Sequence, residues 1–385
     1  MRLVKIEVSL PGMRLLMITR KVDQKDASPA GFTYTWVKKI GEKLEKLYVI
    51  TWQESDRGDL PDNIEIISLS GSKWLKIFSI QGKLWKILSK VDGVFCHQNP
   101  EYTILSAPLT KLFRKKIVSW HTHGTVNWKL KLVNLLTDKI LTASEKSCRL
   151  KNRKKIEVTG HGIDIEYFKP VILSVSEGSL TNVRKYFRIR ERSFGLRPQD
   201  DIFRIVSVGR ISPTKDLETL IKAISVLKNK GITDLEVQII GGPVLKIDKK
   251  YFKALKEINR KEKMENQIKF LGLISHNQIL PYLQNCDLFI NLSQTGSVDK
   301  AILEAMACEV MVLTSNEAFY SIIGSSLIVK GNNPEHLAEK IKWVMDISRE
   351  KRKQIGQYLR QEVVENHNLD NLVVKIINQF SLKSS

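Results

Sequence analysis

Residues 203–215 read FRIVSVGRISPTK and join a predicted strand to a charged loop. The apolar run 205–208 predicts the strand. Gly209 ends it, and the lack of a side chain there lets a ligand approach the backbone. Arg210 offers a planar fork of donors for phosphate oxygens, and Lys215 lies near the start of the next helix, where backbone N–H groups favour anions. The stretch therefore predicts a diphosphate-binding loop, and a salt-bridged surface arginine is the alternative for Arg210 alone.

Strands and helices alternate on both sides of this loop. In the first half the predicted strands are 14–19, 47–51, 64–69, 94–97, 117–121 and 139–142. In the second half they are 205–208, 235–240, 268–271, 288–292, 310–313 and 326–329. This alternation is typical of α/β proteins with doubly wound parallel sheets, in which ligands bind beyond the carboxyl ends of the strands.

The length of 385 residues predicts two domains, because a single core rarely grows beyond about 250–300 residues. We expect an N-terminal domain over 1–170, with 1–12 as an extension, and a second domain over 201–365. Residues 171–200 interrupt the alternation with a Ser-rich and then a basic segment, and predict a linker with an insertion. The segment 366–385 is expected to form a helix that packs back on the N-terminal domain.

The composition is ordinary for a soluble globular protein, with 42% hydrophobic and 27% charged residues. No apolar run reaches the roughly 18 residues that a membrane span needs. Pro11, Gly12 and Arg14 interrupt the apolar N-terminal region, which is therefore no convincing signal peptide. The four cysteines have neither metal-site nor C-x-x-C spacing. These features predict a cytoplasmic protein with reduced thiols.

The formal charge is +21, and residues 1–170 hold 30 Lys and Arg against 17 Asp and Glu. A basic N-terminal half indicates an anionic partner, such as lipid headgroups at the inner face of the membrane or a phosphorylated acceptor. A solvated basic surface without a partner is the alternative. A nucleic-acid partner is not expected, because no recognition-helix, RNP or OB signature is present and basic residues do not interleave with aromatic ones.

A second loop precedes an apolar helix. Residues 293–308 read SQTGSVDKAILEAMAC, in which a strand leads into a small polar loop whose backbone N–H groups are available to an anion. Glu304 lies one to two turns into the helix, where a carboxylate can accept hydrogen bonds from both hydroxyls of a ribose. An ion pair with a nearby lysine is the alternative for this residue.

Together the two loops resemble family 4 glycosyltransferases. The motifs that carry the resemblance are Gly209-Arg210 with Lys215, Phe270-Leu271-Gly272 and Leu303–Cys308, supported by Ala143-Ser144, Gly162-Ile163-Asp164 and Phe168-Lys169-Pro170. They occur in the order, and at about the spacing, of that family. The resemblance is strong from 203 to 315 and looser from 13 to 170, so that it covers most of the chain.

The resemblance implies a GT-B fold, in which two Rossmann-like domains face each other across a cleft. It also implies a UDP-, GDP- or ADP-sugar donor, transfer with retention of configuration and no cofactor. The family is usually metal-independent, and this chain has no Asp-x-Asp motif for a diphosphate-bound metal. The acceptor is left open as a glycan, a glycolipid or a polysaccharide precursor.

The resemblance assigns roles to individual residues. Arg210 and Lys215 would hold the donor diphosphate and neutralise charge on the leaving group. Glu304 would bind the ribose. Backbone atoms around Leu273 would contact the base. The complete predicted donor-binding set is Gly31, Gly209, Arg210, Lys215, Leu273, Gly296, Ser297, Val298, Asp299, Lys300 and Glu304.

Histidines mark the cleft side of the first half. His121 ends a strand, matches a family histidine that contacts the donor sugar and is placed for hydrogen bonding or proton transfer. A purely structural hydrogen bond is the alternative. His97, His123 and His161 are candidates for the acceptor side. A metal pair formed by His121 and His123 is not expected, because no third ligand is evident nearby.

Two positions depart from the family pattern. Gly296 stands where the family often has a glutamate near the transferred sugar, and Glu309 stands where glycine is common. The departure at Gly296 favours a variant loop, with a non-catalytic GT-B protein that binds a nucleotide or partner as the alternative. A nucleotide-sugar epimerase fits less well. A dehydrogenase is disfavoured because neither half has the G-x-G-x-x-G turn.

Overall fold

The computed structural model describes residues 12–26, 28, 31–171 and 202–381. These residues form two α/β domains, each built on a parallel β-sheet. The predicted extension 1–12, apart from Gly12, and the predicted insertion 171–200, apart from Val171, lie outside the described residues. Within the described part of the chain, no helix has the length and apolar character needed to cross a membrane.

The N-terminal sheet has seven strands. They are β1 (Arg14–Thr19), β2 (Lys46–Thr51), β3 (Ile64–Ser68), β4 (Gly93–His97), β5 (Lys116–Trp120), β6 (Lys139–Thr142) and β7 (Ile156–Val158). The order across the sheet is β3-β2-β1-β4-β5-β6-β7, and all neighbours are parallel. The strand order reverses between β1 and β4, which places a ligand-binding crevice at their carboxyl ends.

Helices cover both faces of this sheet. They are α1 (Thr33–Gly41), α2 (Lys73–Ile87), α3 (Pro100–Leu112) and α4 (Trp128–Leu136). α2 packs beside α3 and α3 beside α4, so these three form one layer, while right-handed crossovers place α1 on the other face. Leu16 of β1 packs in the cluster of Ile80 from α2, and its neighbour Met17 packs in the cluster of Trp36 from α1. β1 is therefore buried on both sides, as expected for a central parallel strand.

The second sheet has five strands. They are β8 (Phe203–Val208), β9 (Leu235–Ile240), β10 (Ile268–Gly272), β11 (Leu288–Asn291) and β12 (Met311–Thr314). The order is β10-β9-β8-β11-β12, again parallel, with the reversal between β8 and β11. The helices are α5 (Leu217–Asn229), α6 (Lys246–Lys261), α7 (Leu280–Gln284), α8 (Lys300–Ala307), α9 (Pro334–Asp346) and α10 (Arg349–Asn366).

The end of the chain returns to the N-terminal domain. The final helix, α11 (Leu369–Ser381), packs against α1 and β5, and Lys39 of α1 pairs with Asp370 at 3.2 Å. Just before it, the His161 N–H donates to Nδ1 of His367 at 2.9 Å, and the Ile163 N–H donates to the His367 carbonyl at 2.8 Å. The segment 159–169 is thus hydrogen-bonded to the segment before α11 where the two domains join.

Local structure differs from the sequence-based expectations in a few places. Residues 326–329 are not a strand, because a 3₁₀ turn ends at Leu327 and only Ile328 forms a single bridge to Thr314. β7 is an additional short strand at the sheet edge, only partly buried, and it has no clear alternation in the sequence.

Glu309 stands in a left-handed backbone conformation after α8. Cys308 is the C-cap of that helix, and Glu309 follows with φ of +62°. Glycine is the usual residue at this position, because a Cβ atom in the left-handed region costs roughly 1–2 kcal/mol. The chain thus tolerates a glutamate at a site that favours glycine.

We expect Glu309→Gly to raise the free energy of unfolding by about 1 kcal/mol, because it removes this backbone cost. Urea denaturation measures the change. Glu309→Ala is the matched control, since it removes the carboxylate but retains the Cβ atom, and it should match the wild type. A glycine variant no more stable than the alanine variant would contradict the argument.

Three buried histidines lie where the two domains join. Burial lowers the pKa of His97 to about 3 and that of His367 to about 4, and it lowers the pKa of His161 well below its usual range. In the unfolded chain these rings take up protons near pH 6.5. Below that pH the unfolded state therefore binds more protons than the folded state, so stability falls as the pH falls.

Between pH 6.5 and about 4, His367→Asn should reduce the dependence of stability on pH by up to about 1.4 kcal/mol per pH unit. The asparagine oxygen replaces Nδ1 as the acceptor for the His161 N–H but does not titrate. Urea unfolding at a series of pH values provides the slopes. Thr125→Asn, at an exposed position that introduces no titratable group, is the control and should keep the wild-type slope. An unchanged slope for His367→Asn would refute the assignment.

Candidate functional site

The crevice of the second sheet brings two distant loops together. The loop from Gly209 to Lys215 follows β8, and the loop from Leu292 to Asp299 follows the adjacent strand β11. The Lys215 ammonium forms an ion pair with the Asp299 carboxylate, and Nδ2 of Asn291 donates to the same carboxylate at 3.1 Å. Gly209 has φ of +150°, and the Lys215 side chain lies over it. The two predicted clusters are therefore neighbours at one edge of the sheet.

Arg210 points toward a buried carboxylate that sequence reasoning missed. Nε of Arg210 lies 3.7 Å from Oδ2 of Asp248, which is almost fully buried. Asp248 also accepts hydrogen bonds from the backbone N–H groups of Val244 and Leu245, at 3.2 and 2.9 Å. It thus both caps the start of α6 and holds Arg210. The only sequence signal was an acidic residue in the first turn of a basic helix.

Each cation of the predicted anion site already has a carboxylate partner. Asp299, the N-cap of α8, accepts from the Ala301 N–H at 3.3 Å while it pairs with Lys215. Asp248 likewise accepts hydrogen bonds from backbone N–H groups at the start of α6 while it pairs with Arg210. The carboxylates orient the two cationic side chains, and an incoming anion would share or replace these partners.

Glu304 is buried in the second turn of α8 between two basic groups. Oε1 of Glu304 lies 2.7 Å from Nε2 of His276 and 3.5 Å from Nζ of Lys300. Burial alone would raise the pKa of Glu304, but the charges of His276 and Lys300 outweigh it, so the pKa lies below its usual range. The carboxylate is therefore ionised at neutral pH. The nearby-lysine pairing considered for Glu304 is present, and His276 adds a partner that no sequence pattern indicated.

Lys300 connects the two domains. The Lys300 ammonium donates to the Gly162 carbonyl at 3.0 Å and lies 4.6 Å from the centre of the Phe32 ring. Burial lowers the pKa of Lys300 although Glu304 opposes this shift. One side chain of α8 thus contacts both the interdomain segment and the residue that precedes α1.

Gly296 lies beneath an ion pair between the two domains. Arg149 of the N-terminal domain pairs with Glu317 of the C-terminal domain. A Cβ atom at Gly296 would overlap both side chains, and the φ of +65° independently favours glycine. The left-handed backbone therefore gives the main physical reason for this departure from the family pattern, since the ends of the Arg149 and Glu317 side chains could move.

The neighbouring loop residues also touch the N-terminal domain. Oγ of Ser297 accepts from the Gly124 N–H at 3.3 Å, and the Val298 N–H donates to Oγ of Ser147 at 3.2 Å. Gly31, in front of α1, lies against the side chain of His276. The two domains thus meet at the loop before α8.

The four predicted histidines occupy different environments. His121 is buried, its Nε2 lies 3.0 Å from the His123 carbonyl, and burial lowers its pKa, so the ring is neutral at pH 7. His123 is exposed. His97 and His161 are buried among aromatic rings, with His97 4.9 Å from Trp36 between ring centres. In this conformation His123 alone of the three acceptor-side candidates lies on the surface.

An open cavity lies beside His276 and Lys300. It has a volume of about 270 Å³ and extends between α1, the interdomain segment near Asp164 and the loop that carries His276. Its lining combines aromatic rings, including Phe32 and Tyr167, with charged side chains. Leu273, the predicted base contact, is largely exposed and packs against Gly242. The described residues contain no group of three His, Cys, Asp or Glu side chains that could hold a metal ion.

Two Rossmann-like parallel-sheet domains that meet across a cleft define the GT-B fold. Solved structures of glycosyltransferases have the same fold as this chain. A glycosyltransferase from Rickettsia africae ESF-5 matches with a TM-score of 0.74 at 18% identity, covering 97% of this chain and 100% of that one. Anabaena HepE in complex with UDP-glucose matches with a TM-score of 0.73 at 14% identity, covering 95% and 100%. The predicted fold class is confirmed.

Sequence comparison points to the same class. Residues 189–362, a little under half of the chain, match the model of the glycosyl transferases group 1 family. The Staphylococcus aureus protein described as capsular polysaccharide biosynthesis glycosyltransferase CapH is 24% identical over 271 residues, or 68% of this chain and 70% of that protein. Over the matched segment the chain is therefore similar to the group 1 glycosyltransferases.

Gly296→Ala should lower the free energy of unfolding by about 1 kcal/mol, because a Cβ atom is strained at a φ of +65°, whereas the ends of the Arg149 and Glu317 side chains can move aside. Thermal and urea unfolding measure the change. Gly82→Ala, in an exposed turn of α2 with open space around it, is the control and should stabilise slightly. Equal stability of the Gly296→Ala variant and the wild type would show that the backbone at position 296 carries no such cost.

Proposed function

We propose that the chain is a retaining, metal-independent glycosyltransferase that takes a sugar from a UDP-, GDP- or ADP-sugar. The observation that carries the proposal is that two cations and an ionised carboxylate are found in the loops and helix that follow the adjacent strands β8 and β11. Arg210 and Lys215 supply two cations in the loop after β8, and Glu304 supplies an ionised carboxylate in the helix that follows the neighbouring strand β11. A nucleoside diphosphate needs both, since its phosphates are anionic and its ribose hydroxyls are hydrogen-bond donors.

The comparisons support a nucleotide-sugar donor. HepE, which shares the fold, was solved in complex with UDP-glucose, and CapH is described as a glycosyltransferase of capsular polysaccharide biosynthesis. UDP-sugars are accordingly the first donors to test. For the acceptor we propose a glycan, glycolipid or polysaccharide precursor on the cytoplasmic side of the membrane.

The proposed chemistry centres on the leaving group. As the bond from the sugar to the diphosphate breaks, negative charge grows on the phosphate oxygens, and Arg210 and Lys215 stabilise it. Their carboxylate partners keep both side chains oriented before the donor arrives, which reduces reorganisation during the reaction. With two cations in place, the site needs no metal ion for this step.

The remaining predicted residues surround the transferred sugar and the base. We assign the loop from Gly296 to Lys300 and Gly31 to the donor, and Leu273 to the base through its backbone. His121 is neutral and buried, so its proposed role is a hydrogen bond to the donor sugar. On the acceptor side, His123 is exposed, whereas His97 and His161 would act through the packing beneath the cleft.

A second candidate is a GT-B protein that binds a nucleotide or partner without transferring sugar. The observation that favours it is position 296, where the Arg149–Glu317 pair occupies the space of a missing side chain. Donor binding without acceptor-dependent turnover would identify this case.

The donor-site proposal predicts tight binding of one nucleotide among UDP, GDP and ADP, measured by calorimetry. Glu304→Gln retains the size of the side chain but leaves Lys300 without its carboxylate, so circular dichroism first establishes that the variant is folded. The folded variant should bind that nucleotide roughly tenfold or more weakly, as expected for losing hydrogen bonds to a charged group. Glu309→Ala, which removes a carboxylate just beyond the same helix, is the control and should bind like the wild type. No binding of any nucleotide by folded wild-type protein would overturn the proposal.

A further inference from the structure

The layer formed by α2, α3 and α4 exposes an unusual set of apolar side chains. All three tryptophans that are exposed among the described residues, Trp74, Trp85 and Trp128, belong to it. Phe78 and Leu75 of α2 are also exposed, with 73% and 61% of their surfaces accessible. Single exposed apolar residues are normal, but a group of large aromatic ones on one layer indicates an interaction surface.

α2 has two apolar sides. Its inner side, with Ile80, Leu84 and Ile87, packs on the sheet. Trp74, Phe78 and Trp85 follow each other at intervals of four and seven residues, so they form a stripe along the outer side. Trp85 packs edge-on against Phe113 at the end of α3, with 5.3 Å between ring centres, which extends the stripe to the neighbouring helix. We call Trp74, Leu75, Phe78 and Trp85 the α2 outer stripe.

The charges around the α2 outer stripe are mostly positive, and the one acidic residue of α2, α3 and α4, Glu101 of α3, pairs with Lys129 of α4 at 2.6 Å. α2 contains four lysines and no acidic residue, and α4 contains two lysines and no acidic residue. Lys73 and Lys86 are exposed beside the stripe, and with Lys83 they form no ion pair within the described residues. The end of α3 adds Lys111 and Arg114, both exposed. The surface is therefore both apolar and cationic.

We propose that the α2 outer stripe and its lysines dock the protein on an anionic lipid bilayer. Tryptophan, phenylalanine and leucine insert at the boundary between headgroups and acyl chains, while flanking lysines contact anionic headgroups. A second copy of the chain is a poorer occupant, because two such surfaces would bring like charges together. The inference deepens the proposed function by naming the face that meets the membrane.

The α2 outer stripe lies near the cleft, so docking would bring the bilayer close to the proposed active site. This part of the inference rests on the proposed function. Trp74 lies in the first turn of α2, and Trp128 is the first residue of α4, which follows the loop with His121 and His123. The amino ends of these helices lie at the carboxyl edge of the sheet, which is the edge that borders the cleft. A bilayer on this surface would thus adjoin the cleft, and a lipid-linked acceptor would reach it without leaving the membrane.

Sedimentation with vesicles tests the inference on the full chain. The wild type should pellet with vesicles of phosphatidylglycerol and phosphatidylcholine in equal parts, and far less with phosphatidylcholine alone. Trp74→Ser/Phe78→Ser should bind at least about tenfold more weakly. Lys73→Gln/Lys83→Gln/Lys86→Gln should lose about tenfold or more on anionic vesicles only. Ile247→Ser/Tyr358→Ser, at two exposed side chains of the C-terminal domain, is the matched control and should bind like the wild type.

Three results would overturn the inference. The first is wild-type protein that stays in solution with both vesicles. The second is a Trp74→Ser/Phe78→Ser variant that is folded, by circular dichroism, and pellets normally. The third is a wild-type dimer in light scattering that this variant converts to monomer, which would assign the surface to a second copy. Nucleotide calorimetry on the same samples separates failure of docking from failure of the donor site, because the α2 outer stripe does not take part in nucleotide binding.

Discussion

The buried pair between Lys300 and Glu304 is the interaction on which the site depends. Burying either charge alone would cost several kcal/mol, so each group needs the other. Lys300 also holds the Gly162 carbonyl of the interdomain segment, and Glu304 holds His276. The pair therefore stabilises the helix that carries the proposed ribose contact. Through His276 it also holds the loop beside the cavity, and through Gly162 it links the two domains.

Much of the fold followed from the sequence because its signals are local. Parallel strands buried on both faces give short apolar runs, and the strands near Ile205, Leu235 and Lys139 appear where they were expected. Glycine after β8 and the polar loop after β11 marked the carboxyl ends of two adjacent strands. The local sequence does not show that β8 and β11 are neighbours in the sheet. That expectation came from the family resemblance and from the rule that ligands bind where the strand order reverses.

The missed features depend on contacts between distant residues. His276 meets Glu304 across 28 positions, and Arg149 meets Glu317 across 168, so no spacing rule could indicate either pair. α2 has apolar residues on two sides, and their spacing alone does not show which side the sheet covers; Trp74 and Phe78 proved to be exposed. Residues 326–329 were expected to be a strand because the run is apolar, but only Ile328 makes a bridge to the sheet.

The most direct test of the account is whether Glu304 acts on the ribose. Calorimetry would compare the nucleotide that binds most tightly with its 2′-deoxy and 3′-deoxy analogues, for the wild type and for Glu304→Gln. The account predicts that losing a ribose hydroxyl weakens wild-type binding by roughly tenfold but has little effect on the variant, because the charged acceptor is already gone. Equal losses in both proteins would show that Glu304 serves only its partners His276 and Lys300, and would contradict the central claim.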